Sequence, residues 1–301
     1  MTCIVFPGQG SQSEGMVKDF HENFKLAGTI FEEIEDYTKL NIRNIIFNND
    51  NNKLNITQFT QICIFSASYV IFKIIENEKG FENKNFMMGH SLGEYTALTC
   101  SNKISLRESS LILKKRGELM NNAVLPNETG MAALIGKDFK SIKEIIDKNN
   151  LDLEVANDNS NIQIVISGKV EEINKSREIF LDNKIKKFVT LNVSAAFHSR
   201  FMLQAQNVLS KEIDKLNFIE NKIKIISNYD GEVHDNNLSI KKNLQYQMAN
   251  RVNWTKSVKK LEEIGENKII EIGPNKVLSG LIRRISNKFD IVSYDKISDL
   301  N

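Results

Sequence analysis

The chain has 301 residues, 26% of them charged and 41% hydrophobic, with 40 lysines and arginines against 38 aspartates and glutamates. That length allows one large domain or two smaller ones with a substantial core. The apolar content excludes disorder by composition, and a net charge of +2 gives no basic footprint for nucleic acid. The cysteines Cys3, Cys63 and Cys100 are odd in number and form no CxxC, so neither a disulfide framework nor a cysteine zinc site is expected.

In chain order, Ile4-Val5-Phe6 reads as a short buried strand closed by Pro7-Gly8-Gln9-Gly10, and Phe31-Glu32-Glu33-Ile34 as the start of an amphipathic helix. A long helical pattern follows from about Thr57 to Asn77, with Ile62, Phe65, Tyr69, Phe72 and Ile75 on one stripe. Its apolar stretch, Ile62 to Phe72, falls short of the ~20 residues of a membrane span. Phe86-Met87-Met88 then runs directly into Gly89-His90-Ser91-Leu92-Gly93, with helices over Glu94 to Cys100 and Leu106 to Met120. Strand, glycine turn and helix at this spacing predict an α/β fold with a parallel sheet.

The texture changes after Pro126. Strand-like Gly130 to Gly136, helical Ser141 to Lys148, strands at Leu153 to Ala156 and Ile162 to Ile166, helical Val170 to Phe180 and a strand over Lys187 to Val193 give βαββαβ, the order of a ferredoxin-like unit. The expected organisation is a large α/β domain of residues 1–125 and 195–301, with residues 126–194 inserted as a small subdomain. The remainder returns to helix (Phe201 to Leu216), strand (Ile223 to Ser227), helix (Leu238 to Met248), strand (Lys268 to Ile272) and a final helix (Val277 to Ser286). The N-terminus lacks a signal peptide's basic leader and apolar length. A soluble, reduced, cytoplasmic protein is expected, or one of the plastid stroma if a transit peptide has been removed.

Gly89-His90-Ser91-Leu92-Gly93 is a G-x-S-x-G nucleophile elbow between a strand and a helix. Such a turn lifts the serine hydroxyl beside a helix N-terminus, whose free N–H groups favour a developing oxyanion. A base working near neutral pH points to histidine. His21 lies in a charged stretch and reads as a solvated helix position, His234 as a hairpin or loop edge, and His90 as packing under the turn. That leaves His198, in Ser194-Ala195-Ala196-Phe197-His198-Ser199, where small residues leave room for a substrate. A hydrolase would need an acid between serine and histidine. The candidates Asp138, Asp152, Asp158 and Asp182 all fall in the insert, so a neutral acceptor such as a backbone carbonyl can orient the imidazole instead.

On a helical wheel at ~100° per residue, Arg116 lies only about 60° from Leu113, on the stripe shared by Leu106 and Met120. Lys115 points to the opposite side. A guanidinium on a buried stripe needs a carboxylate or equivalent, supplied either by an internal salt bridge or by a substrate held bidentately. Gly8-Gln9-Gly10-Ser11-Gln12 lacks the Lys-Ser/Thr of a phosphate loop; at the carboxyl end of a strand it suits an oxyanion or wall role.

Phe6-Pro7-Gly8-Gln9-Gly10-Ser11-Gln12, Gly89 to Tyr95, Arg116-Gly117-Glu118-Leu119-Met120, Ala196-Phe197-His198-Ser199, Trp254-Thr255-Lys256-Ser257-Val258 and Glu271-Ile272-Gly273-Pro274 together resemble the malonyl-CoA:acyl-carrier-protein transacylase family of type II fatty acid synthesis. The resemblance covers nearly the whole chain. It implies a hydrolase-like large domain with a ferredoxin-like insert. By position it implies Ser91 as acyl acceptor, His198 as base, Arg116 as holder of the malonyl carboxylate, and Gln9 with the Leu92 N–H as the oxyanion hole. Gln247 would supply the carbonyl that orients His198, and Phe197 would crowd an α-methyl branch. Thr60-Gln61-Ile62 and Asn250-Arg251 depart from the family's Thr-Gln-Pro and Asn-Pro.

The implied reaction is ping-pong malonyl transfer from malonyl-CoA to the phosphopantetheine thiol of acyl carrier protein, with no metal or other cofactor and no nucleic-acid or membrane partner, by a monomer. The rivals are a serine thioesterase or esterase, and a non-catalytic carrier-docking protein. Since the carriers of this pathway are acidic, Lys184, Lys186, Lys187 and Arg251 are the candidate docking residues.

Overall fold

The computed structural model describes residues 2–300. The first half comprises β1 (Thr2–Phe6), α1 (Lys18–Asn23), α2 (Lys25–Thr38), α3 (Ile42–Asn48), α4 (Thr57–Glu78), β2 (Lys84–Gly89), α5 (Leu92–Cys100) and α6 (Leu106–Asn121). The small subdomain follows with β3 (Thr129–Ile135), α7 (Phe139–Lys148), β4 (Leu153–Ser160), β5 (Gln163–Lys169), α8 (Val170–Asp182) and β6 (Lys187–Thr190). The chain then returns through α9 (Leu203–Asp214), β7 (Lys224–Ile226), β8 (Val233–His234), α10 (Asn237–Tyr246), α11 (Trp254–Glu263), β9 (Lys268–Ile272), α12 (Val277–Ile285) and β10 (Asp290–Tyr294).

The large sheet has the order β10-β9-β1-β2-β7-β8, parallel throughout except for the antiparallel edge pair β7–β8. Successive side chains of a strand point to opposite faces, and β1 feeds two cores accordingly. Ile4 and Phe6 join Phe65, Phe72 and Leu98 from α4 and α5 on one face. Cys3 and Val5 join Trp254, Leu261 and Leu281 from α11 and α12 on the other. The carboxyl ends of β1, β2 and β7 therefore open at one edge, where open α/β sheets bind their ligands.

The insert folds as an antiparallel sheet of order β4-β5-β3-β6, the ferredoxin-like arrangement. Ala132, Leu134, Ile164 and Ile166 pack on α7 and α8, whereas the alternate residues Met131, Ala133 and Val165 belong to the core of the large domain. Two further ties hold the insert. Val252 N–H donates to the Ala156 carbonyl and Asp158 N–H to the Val252 carbonyl, and Ala196 N–H donates to Thr129 Oγ1.

Several expectations change. α4 is a 22-residue helix, long and apolar enough by length and composition to cross a membrane, yet 78% of its most apolar window is buried inside the protein, where it packs against α2, α5 and α6. The strand expected over Lys187 to Val193 ends at Thr190: β3 pairs with it from Ala132 to Ile135, and after one further bond, from Leu191 N–H to the Met131 carbonyl, the chain turns back on itself through Val193 N–H to the Leu191 carbonyl. His21 is half-buried, with its ring 5.9 Å from Phe31 and 5.2 Å from Phe47 between centroids; an aromatic cluster covers a position that reads as solvated. The three cysteines are free and buried.

Candidate active site

Gly89, Ser91 and Gly93 form the turn from β2 into α5. Ser91 has φ 55° and ψ −108°, a backbone state that a non-glycine residue holds only when its surroundings over-determine it. The packing does so. A Cβ on Gly89 would lie 2.0 Å from the carbonyl carbon of Gly93, and one on Gly93 would lie 2.2 Å from the Phe6 carbonyl oxygen. Helix and strand thus approach to backbone contact, and no side chain fits between them. Asn228, just beyond β7, closes the turn: its Oδ1 accepts from Ser91 N–H at 2.6 Å and its Nδ2 donates to the Gly89 carbonyl at 2.6 Å.

His198 also holds a positive φ, 55°, and its Nε2 lies 2.8 Å from Ser91 Oγ. On the other side of the ring, Nδ1 lies 3.0 Å from the Gln247 carbonyl and 3.1 Å from the Asn250 carbonyl. Two carbonyls only accept, so Nδ1 carries the proton and Nε2 presents its lone pair to the serine. Burial, reinforced by the nearby Arg116 charge, pushes the imidazole pKa down to about 3 against these two hydrogen bonds. The ring is therefore neutral, the state a base requires. Asp138 caps α7 and Asp158 accepts from Thr255 Oγ1, and Asp152 pairs with Arg200, so none of the three is the partner of His198.

Arg116 is wholly buried, as its place on the stripe of α6 implies. Its Nη1 donates to Gln61 Oε1 at 2.6 Å. Its Nη2 donates to Ser91 Oγ and to Gln247 Oε1, both at 3.0 Å. Among the described residues no carboxylate comes within ion-pair distance of this guanidinium. Its partners are neutral oxygens and the ring of Tyr95, 5.5 Å from Cζ. Burial lowers its pKa, which is the direction expected of a cation without a direct counter-charge.

Gln9, Gln61, Ser91, Leu92, Arg116, Met131, Phe197 and His198 line one cavity of about 90 Å³, room for roughly three waters at ~30 Å³ each. Leu92 is the first residue of α5, where a helix N–H has no intrahelical partner. The Gln9 amide donates to Thr57 Oγ1 at 3.2 Å. Phe197 is buried and its carbonyl accepts from Ser167 Oγ of the insert at 2.7 Å. His90 faces away, with Nε2 2.8 Å from Asn159 Oδ1 and its ring against Trp254. Every site residue read from the sequence thus lies at this one cavity or, for Gln247, directly behind it.

The four basic candidates do not line this cavity. Arg251 has its Cζ 3.9 Å from the Phe139 ring centroid and donates from Nε to Asn253 Oδ1. Lys184, Lys186 and Lys187 are exposed, and Lys187 pairs with Ile135, four residues or about 13 Å along the strand from Met131. Sequence reasoning missed Asn228, Glu94 and the second carbonyl, of Asn250. Glu94 stands in the quoted elbow motif, and Asn228 at the carboxyl end of a strand, but neither position announces its partners.

The model of the family described as "Acyl transferase domain" matches residues 3–297. The chain belongs to that acyl transferase family. Among its relatives, the malonyl CoA-acyl carrier protein transacylase of Bacillus subtilis (strain 168) is 34% identical over 295 residues, 97% of this chain and 92% of the relative. The crystal structure of an acyl carrier protein S-malonyltransferase from Vibrio cholerae superposes with a TM-score of 0.94 at 30% identity, covering 99% of this chain and 98% of that one. A malonyl-transacylase solved in complex with its type II polyketide acyl-carrier protein gives 0.94 at 30% identity, covering 99% and 97%. The hydrolase-like sheet and the ferredoxin-like insert of this acyl transferase are those of its structural neighbours.

Proposed function

We propose that the protein transfers the malonyl group of malonyl-CoA to the phosphopantetheine thiol of acyl carrier protein, through a malonyl ester on Ser91, in fatty acid biosynthesis. The family membership supports acyl transfer, and the similarity to malonyl transacylases supports the acyl group and the acceptor. The observation that carries the reading is Arg116: a buried guanidinium, bonded only to neutral oxygens, 3.0 Å from the nucleophile. A free carboxylate on the acyl group supplies the missing counter-charge.

In the first half-reaction His198 Nε2 takes the Ser91 proton as Oγ attacks the thioester carbon. The oxyanion sits against the N–H of Leu92 and the amide of Gln9, and collapse expels the CoA thiolate, which leaves with the proton from His198. The second half runs in reverse with the carrier's thiol: its proton passes to His198, its sulfur attacks the malonyl ester, and Ser91 regains its hydrogen. The Gln247 and Asn250 carbonyls hold the imidazole in one tautomer but leave it less basic than a carboxylate would. Thioester exchange is redox-neutral and each developing charge has a donor within the chain, so the scheme uses no cofactor. One chain supplies every group, in keeping with a monomer. We place the protein in the cytoplasm, by similarity to bacterial relatives.

Mass spectrometry of carrier protein incubated with this enzyme and malonyl-CoA tests the reading. A malonyl mass on the carrier is expected. Free malonate with unmodified carrier would make the protein a thioesterase.

A further inference from the structure

Behind the reacting groups lies a carboxyl that the transfer scheme does not use. Glu94, in the first turn of α5, is wholly buried. Its Oε2 accepts from Gln247 Nε2 at 2.6 Å and from Asn228 N–H at 3.2 Å. Gln247 Nε2 donates a second time, to the Ser91 carbonyl at 3.0 Å. With both acceptors on that side, the amide of Gln247 has one orientation: nitrogen toward Glu94, oxygen toward Arg116. Gln247 Oε1 is then one of the two side-chain amide oxygens, with that of Gln61, that with Ser91 Oγ fix the plane of the guanidinium. Were the amide reversed, its NH₂ would face the Arg116 cation and its oxygen would face the carboxyl.

We propose that Glu94 is a positioning residue for acyl selectivity: through the side-chain amide of Gln247 it sets the direction of the Arg116 guanidinium and so the preference for an acyl group that ends in a carboxylate. Glu94 touches neither substrate nor reacting atom. The main-chain carbonyl of Gln247 serves His198 and its side chain serves Arg116, so one residue holds both groups and Glu94 governs only the second. The inference rests on the reading of Arg116 as the carboxylate clamp.

The experiment is competition between malonyl-CoA and acetyl-CoA in loading of the full-length enzyme, read as the ratio of kcat/KM. Glu94→Met removes the acceptor and should lower the malonyl-to-acetyl ratio about ten- to hundredfold, the range for losing a hydrogen bond that anchors a charged group. Glu94→Gln keeps a carbonyl oxygen for Gln247 Nε2 and should restore the ratio to within about threefold of wild type, less than one such bond. Gln247→Met, which keeps the main-chain carbonyl, should lower the ratio as Glu94→Met does. The double variant should fall no more than about twofold below the worse single one, since both act along one path. If Glu94→Met does not accumulate folded, Glu94→Ser, too short to reach the amide, replaces it with the same expectation. Equal losses for malonyl and acetyl would make Glu94 a support of the serine turn through Asn228 and overturn the proposal. Arg116→Ala separates the two levels. A ratio that collapses in Arg116→Ala but survives in Glu94→Met refutes the role of Glu94 alone, and a ratio unchanged in Arg116→Ala refutes the clamp itself.

Discussion

Ser91 and His198, the nucleophile and base of the proposed scheme, sit at positive φ without being glycine, and the chemistry proposed for them is separable by substitution. Ser91→Ala should show no malonyl adduct by intact mass after incubation with malonyl-CoA, and an adduct at another residue would move the nucleophile. His198→Ala should slow loading and carrier discharge alike by about 10²–10⁴-fold, as loss of a general base does; stopped-flow measurement of each half-reaction checks the symmetry. In the proposed scheme selectivity belongs to Arg116 and Phe197. Truncating one member of a buried charge pair costs about 3–5 kcal/mol, so Arg116→Ala should reduce malonyl loading by orders of magnitude more than acetyl loading. Phe197→Ser should loosen the preference for malonyl over methylmalonyl within the ~1–3 kcal/mol that one methyl carries in an apolar pocket. Equal effects on all acyl groups would return Arg116 to a structural role.

At the scale of elements, the serine turn depends on β7 as much as on β2. Asn228→Ala strips the Ser91 N–H and the Gly89 carbonyl of their partner. With buried groups left unsatisfied at about 1–3 kcal/mol each, the variant should unfold at lower urea and load malonyl more slowly. An unchanged midpoint would mean that water replaces the amide. None of this is legible in the sequence, because Asn228 reaches across 137 positions and no local pattern encodes such a reach. What is legible is local: the G-x-S-x-G turn, the small residues before His198, the angle of Arg116 on its stripe. The βαββαβ insert is legible too, from its short apolar runs set between two helical stretches; β3 and β5 are buried on both faces and so read as continuous runs. α11 is legible by the same rule, since Trp254, Val258 and Leu261 recur at i, i+4 and i+7, the spacing of an amphipathic helix. β10 escapes because its five residues are at most half-buried. The stop of β6 at Thr190 is invisible because the alternation of Val189, Leu191 and Val193 runs past it, and nothing in those residues marks the tight turn from Val193 N–H to the Leu191 carbonyl.

For the molecule as a whole, the site makes opposing demands on stability. His198 in the folded protein takes its proton only near pH 3, against an ordinary 6.5, chiefly because it is buried. Between those values the unfolded chain binds the extra proton, so stability from this group is full above 6.5 and drains as pH falls toward 3. Burial raises Glu94 from 4.5 to about 7, against the hydrogen bonds from Gln247 and Asn228. Here the folded protein holds the extra proton, and stability is lost as pH rises from 4.5 through 7. In the overlap the two trends oppose each other. Glu94→Gln removes the second alone, so its stability relative to wild type should be greater at pH 8 than at pH 5. Urea titrations at the two pH values measure this, and a difference independent of pH would show that Glu94 titrates normally.

The insert enters and leaves the large domain side by side. β3 and β6 are neighbouring strands, and Ala196 N–H reaches Thr129 across the junction. Such a segment can be lengthened, shortened or exchanged as a cassette without moving the chain ends it interrupts. It also supplies Met131 to the wall of the cavity, and its exit strand leads into Leu191, Val193 and Phe197, while Ser91, Arg116 and the carbonyls behind His198 belong to the rest of the chain. Evolution, or an engineer grafting the insert of a relative, can thus redraw the shape of the acyl pocket while Ser91 stays on the rest of the chain, provided that Asn159, which holds His90 of the serine turn, is kept.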